Sequence, residues 1–237
     1  MDVPDFSARP QLSEDVARYV RRQIFDGNYR PGEYVRLDQL AAELGISVTP
    51  VREALLMLRA EGLIAQQPRR GFVVLEVTRR DVTDVANVQA HVGGELAARA
   101  ALNITDGQLR ELKDIQVQLE DAYAGDDPEL TVRLNHEFHR AINVAADSPK
   151  LAQLMSQITR FAAEAMFPSI GGWPAQSVRD HRRVLEALEK RDGKLARAAM
   201  SDHLAAGAGP LIDHLVARGV VTEAGRPISE QRGASVI

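Results

Sequence analysis

Two short amphipathic segments, set only a few residues apart, constrain this chain more than any other feature. Leu37, Leu40, Ala41 and Leu44 recur at helical spacing and stop at Gly45; Val51, Ala54, Leu55 and Leu58 resume the period after the link Gly45-Ile46-Ser47 and end near Gly62. Helices this short cannot stand alone in water, so both must lay their apolar stripes on neighbouring elements. The neighbours are on either side. From Gln11, Leu12, Val16, Val20 and Ile24 recur at i+4 until Gly27-Asn28, and Arg30-Pro31-Gly32 forms a turn. Beyond Gly62, apolar runs at 63–65 and 72–75 flank Gln66-Gln67-Pro68-Arg69-Arg70-Gly71, which predicts a hairpin with arginines at its tip. Together these make a winged helix-turn-helix over residues 1–77, with a polar and loose stretch at 1–10.

In such a unit the second helix of the pair enters the major groove of duplex DNA while its partner crosses the backbone. The stripe of 51, 54, 55 and 58 faces inward, which leaves Thr49, Arg52 and Arg59 facing out. Thr49 and Arg52 fall in the first helical turn, where free N–H groups and the helix dipole favour phosphate. Arg52 is the expected base reader and Arg36 an expected phosphate contact. Gly71 permits close approach of the wing, and Arg69 and Arg70 are placed to enter the minor groove or clamp phosphates. Residues 1–77 hold ten Arg and no Lys against eleven Asp plus Glu. Arginine suits bidentate contacts to guanine and phosphate, although an arginine-biased codon usage accounts for the count equally well. Singly, each arginine is a surface charge on any small domain; the constellation is what points to DNA. The net charge of −4 argues against coating nucleic acid by bulk attraction.

After Val77 strand patterns cease. Periodicity predicts helices at about 80–102, 106–123, 128–145, 149–167, 175–191 and 193–218. Thr105 with Gln108 forms a capping box, Ser148-Pro149 a cap with Pro at the first helical position, and Gly171-Gly172-Trp173-Pro174 breaks the chain. The fold class is mostly α: the winged unit, then an all-α antiparallel bundle of six to seven helices over 78–222, then a disordered tail at 223–237. Cysteine is absent, which excludes disulfides and thiolate sites. The start of the chain has no signal-peptide pattern and no run of about 18 apolar residues exists, so a soluble cytoplasmic protein without a membrane partner is expected.

Three of the six histidines lie on apolar stripes. His139 shares its helix face with Leu134, Phe138 and Ile142, with Asn135 one turn back; His181 lies between Val178 and Leu185; His203 lies on the last long helix. They converge as ligands for a divalent metal, or they are satisfied core residues; spacing alone leaves both open. His136 reads as surface, His214 as packing. Trp173 fits either the mouth of a pocket or simple loop packing.

Ordered motifs resemble a known family. Pro31-Gly32-Glu33, Leu40-Ala41-x-x-Leu44-Gly45, Ser47-Val48-Thr49-Pro50-Val51-Arg52-Glu53-Ala54-Leu55 and Leu58-x-x-Glu61-Gly62-Leu63-Ile64 are similar to the GntR family of bacterial regulators. The resemblance implies DNA contacts by Arg36, Thr49, Arg52 and Gly71. Val48 stands where that family usually has arginine, which implies an altered operator. Asn135-x-x-Phe138-His139, Asp180-His181 before Val184-Leu185-x-Ala187-Leu188, and His203-Leu204 resemble the FCD effector domain of the FadR-type subfamily. This implies a divalent metal, zinc or another first-row transition metal, on Asn135, His139, His181 and His203, with a carboxylate effector beside it. It implies too a homodimer on a palindromic operator, more often a repressor. His91 stands where relatives often have arginine before Glu95 and is a candidate effector contact. Asn135 replaces the family's usual Asp, so the ligand set carries no charge and should pull harder on an anion. Two rivals remain at this level: a ligand-independent DNA-binding protein whose histidines are core, and a metal-dependent hydrolase, for which only Asp180 and Asp202 flank the candidate ligands.

Overall fold

The computed structural model describes residues 10–68, 70–125, 127–160 and 164–222. Arg69, the tail from 223 and most of the stretch expected to be loose at 1–10 lie outside those residues; Pro10 opens the first helix. The chain forms two compact units, residues up to Arg79 together with those from Leu215, and Arg80–His214.

The first unit contains α1 (Pro10–Phe25), β1 (Tyr34–Val35), α2 (Leu37–Leu44), α3 (Val48–Ala60), β2 (Ile64–Gln67) and β3 (Gly71–Val74). The three strands form an antiparallel sheet in the order β1-β3-β2, with Tyr34 opposite Val73 and Ile64 opposite Val74. Val16, Val20 and Ile24 from α1, Val51, Leu55 and Leu58 from α3, and Leu63, Ile64 and Phe72 from the hairpin are all buried. Each such side chain contributes on the order of 1.5–3 kcal/mol. Two charged contacts fix α1 on α3. Arg21 donates to both carboxylate oxygens of Glu61, at 2.8 and 2.5 Å, and the Ser13 hydroxyl donates to Glu53. Three short strands carry no signal in the sequence, β1 and the parallel pair β4 (Val77–Thr78) with β5 (Val221–Thr222). Each is two residues long and shows no alternation of its own. Residues 215–222 thus join this unit, where Arg218 pairs with Asp26 at 3.0 Å and its carbonyl would lie 3.0 Å from a Cβ on Gly27.

The second unit is built from α4 (Arg79–Asn103), α5 (Asp106–Ala124), α6 (Pro128–Ala145), α7 (Pro149–Thr159), a 3₁₀ turn (Glu164–Ser169), α8 (Trp173–Glu189), α9 (Gly193–Ala206) and α10 (Ala208–Ala217). Leu96, Ile104, Leu112, Phe138, Ile142, Val184, Leu188 and Met200 meet in one core. Glycine lets α4 and α9 approach: a Cβ on Gly94 would stand 2.2 Å from Ser201 Oγ, whose hydroxyl donates to the Ala90 carbonyl at 2.8 Å. Among the described residues no helix is long and apolar enough to cross a membrane.

Two expected helices end early. The one expected at 149–167 stops at Thr159 and the chain resumes as the 3₁₀ turn. The one expected at 193–218 divides at Gly207. Pro210 explains that break, because in a continuous helix its ring would strike the carbonyl of Ala206. Gly207 is also closely packed: a Cβ there would lie 3.1 Å from Phe167 and 3.2 Å from Trp173, so those rings would have to give slightly.

Candidate functional site

The helical unit buries three imidazoles together. Phe138 and Ile142 turn one face of α6 into the core and carry His139 with them; Val184 and Leu188 do the same for His181 on α8, and Ala199 and Met200 for His203 on α9. One nitrogen from each ring lies within 4.8 Å of the others. The His181 ring stacks on Phe138 at 4.0 Å and 6°, while His203 stands 4.7 Å from His181 and 5.3 Å from His139.

The environment of two of the rings disfavours their charged form. Burial lowers His139 to about 3, helped by the neighbouring His203 and His136 charges; the residue retains some surface, yet its ring packs against three others. Burial likewise carries His181 well below its ordinary value. A neutral imidazole offers a lone pair, which is what a metal requires. Two nitrogens lack what buried polar atoms normally have: His181 Nε2 and His203 Nδ1 are enclosed without a hydrogen-bond partner. Three imidazoles within coordinating reach, two with orphaned nitrogens, fit a divalent first-row cation.

Two side chains stand behind the rings, Gln116, which the sequence did not single out, and Asp180, which it offered only as an acid flanking the candidate ligands. Gln116 on α5 faces His181 Nδ1 through its Oε1 at 2.9 Å. Asp180 on α8 is buried, with Oδ2 3.5 Å from His203 Nδ1 and both carboxylate oxygens accepting from Gln176 Nε2. That separation is electrostatic contact more than a formed hydrogen bond; the His203 ring, then Gln176, hold the Asp180 carboxyl below the usual range. A signal for both was present in the sequence. Gln116 shares a stripe with Leu112 and Leu119, and Asp180 shares one with Ser177 and Val184, so each is a polar residue on a core face.

Asn135, half-buried one turn before His139, lines a small, partly open pocket together with Tyr123, Thr131, Val132, Phe167, Pro168 and Trp173. Trp173 connects the pocket to the imidazoles, its ring 5.8 Å from His203 and 4.6 Å from Phe167. His91 is exposed on α4 and is not among the residues that line this pocket.

In the winged unit α3 buries Val51, Ala54, Leu55 and Leu58 and leaves Thr49, Arg52 and Arg59 exposed. Arg59 donates to Gln66 Oε1 at 3.0 Å, tying this helix to the wing strand β2. Gly45 ends α2 with φ +66, a left-handed turn that directs the chain into α3. Arg36 occupies the N-cap position of α2 and is exposed, Gly71 has φ +98 at the wing, and Arg70 beside it is exposed. Val48, in place of the expected arginine, is half-buried. The glutamates of the motifs, Glu53 and Glu61, face α1 instead of a ligand.

Residues 12–74 match the family of bacterial regulatory proteins described as the gntR family, and residues 84–206 match the FCD domain. The chain is 26% identical to the HTH-type transcriptional regulator YdhC of Bacillus subtilis over 78% of its own length and 84% of the relative's. It is 26% identical to the Escherichia coli regulator McbR, covering 81% and 88%, and 26% identical to the Escherichia coli HTH-type transcriptional repressor RspR, covering 81% and 86%. The solved structure of McbR superposes with a TM-score of 0.69 at 25% identity, over 86% of this chain and 99% of that one.

Proposed function

The chain belongs to the GntR family of bacterial regulatory proteins with an FCD domain, and from that premise we propose that it is a ligand-responsive repressor whose DNA affinity is set by a small organic acid in the helical unit. DNA binding is the family's trade: its members and the relatives above are transcriptional regulators, not enzymes. RspR is named a repressor, which supports that sign of regulation here.

The observation that carries the effector reading is the convergence of His139, His181 and His203 beside the pocket walled by Asn135 and Trp173. These three imidazoles, with Asn135 as a neutral oxygen donor, would hold zinc or another first-row metal. Bound there, the cation supplies a Lewis-acid anchor for a carboxylate. The chain's own side chains do the remainder: Trp173 and Phe167 offer apolar walls, and Thr131, Tyr123 and Asn135 offer hydroxyls and an amide for orientation. An acid that prefers one arrangement of the helices changes operator affinity by the corresponding coupling energy, about 1–3 kcal/mol or 5–150-fold.

On the DNA side, a cytoplasmic homodimer would set two copies of α3 into successive major grooves of a palindrome, with Thr49 and Arg52 on bases and phosphates, and Arg36, Arg69, Arg70 and the Gly71 turn on the backbone or minor groove. Selection of bound duplexes from a random library, followed by sedimentation of the complex, tests this reading. It requires an inverted repeat occupied by two chains. An asymmetric site bound by one chain, or no enrichment at all, contradicts it.

A further inference from the structure

We infer that Gln116 is a positioning residue that fixes His181 as its Nδ1–H tautomer, so that a bare Nε2 lone pair faces the three-histidine centre before any ligand arrives. The inference deepens the metal reading proposed above and rests on it for its consequence.

Gln116 is a buried amide on α5 between Leu112 and Leu119. An amide in that position is costly unless both of its ends are bonded. Its Nε2 donates to Glu120 Oε1 at 2.9 Å, and its Oε1 faces His181 Nδ1 at 2.9 Å. The identity of the two ends follows from Glu120. A carboxylate only accepts, and this one is gripped by Arg182 through Nε at 3.0 Å and Nη2 at 2.5 Å, so it cannot turn away. Rotating the amide would still allow a bond to Nδ1, but it would set the amide carbonyl against that carboxylate, two acceptors face to face, and lose the bond to Glu120. The oxygen of Gln116 therefore faces the ring, and Nδ1 must donate to it.

A neutral imidazole has a single N–H. Once Nδ1 holds it, Nε2 carries the lone pair, and Nε2 is the atom enclosed without a partner. Phe138, stacked on the ring, prevents it from swinging out of this arrangement. Arg182 directly follows His181 on α8, so one dipeptide supplies both the ligand and the cation that anchors the acid orienting it. Metal-binding imidazoles generally need such a partner on the far nitrogen, and losing it costs about 10–100-fold in affinity.

The test uses the full-length chain, stripped of metal by chelation, with the ring tautomer observed by long-range ¹H–¹⁵N correlation and zinc affinity measured by competition with a chromogenic chelator. In the parent chain His181 is expected as Nδ1–H. Gln116→Met, which keeps the shape and removes the acceptor, should lose that fixed tautomer and bind zinc about 10–100-fold more weakly. A parent chain with His181 as Nε2–H overturns the inference, as does a Gln116→Met protein with unchanged tautomer. Should Gln116→Met fail to fold, the parent tautomer alone decides. A parent chain that keeps Nδ1–H but takes up no zinc removes the metal reading and leaves the Gln116 assignment supported.

Discussion

Asp180 Oδ2 lies 3.5 Å from Nδ1 of His203, with neither side chain more than 5% exposed. This relationship revises the charge argument drawn from sequence. Three imidazoles and the Asn135 amide carry no negative charge, which by itself leaves a divalent ion uncompensated. Asp180, held against His203, places a buried carboxylate beside the ligand set.

Asp180→Asn should therefore weaken zinc binding about 10-fold or more, because the ring loses its charged neighbour. Chelator competition measures it, and circular dichroism of the metal-free protein should be unchanged. An affinity within twofold of the parent would mean that Asp180 serves packing alone.

Asn135→Asp moves the charge into the ligand set itself. Zinc should bind more tightly, and a carboxylate effector more weakly, since the added anion competes with it for the cation. Titration calorimetry of the zinc-loaded variant checks the second effect; equal or better effector affinity would contradict it.

The buried imidazoles predict how the metal-free protein responds to acid. His139 falls to about 3 in the folded chain against 6.5 in the unfolded one. Above 6.5 both states are neutral and the ring contributes nothing to the pH dependence. Between 6.5 and 3 the unfolded chain binds a proton that the folded chain refuses, so stability drops as pH falls, by roughly 1 kcal/mol per unit for this ring. His181 is shifted in the same direction and adds to the slope. Urea unfolding in chelator at pH 7.5, 6.5 and 5.5 should show little change over the first step and a marked loss over the second.

Much of this was legible in the chain because helix signals are local. The Thr105–Gln108 capping box forms as written, each residue bonding the other's N–H. Ser148 occupies its cap position, yet its hydroxyl accepts from Arg99 instead of capping, a choice made by tertiary contact. Gly207 and Pro210 mark in the sequence itself the break between α9 and α10 that a single helix over 193–218 ignores. The inward faces of His139, His181 and His203 followed from period; their meeting depended on how α6, α8 and α9 cross, which no local pattern encodes. Gln116 and the contact of Asp180 with His203 were not legible, because a polar residue on a core face has meaning only once its partner is known.

Arg52→Ala should weaken binding to the selected duplex by about 10–100-fold and relax base preference, with a smaller loss on unrelated DNA. Fluorescence anisotropy on both duplexes at several salt concentrations distinguishes a base reader from a general phosphate contact. Equal losses on both would reassign Arg52 to the backbone.

The central claim is that the three-histidine site governs the winged unit's grip on DNA. Its most direct test is operator affinity of the zinc-loaded parent across a panel of small organic acids, repeated with His139, His181 and His203 all changed to alanine. At least one acid should shift the parent's affinity by 5-fold or more, and the triple variant should bind the operator but ignore that acid. An acid response that survives loss of all three imidazoles would contradict the account.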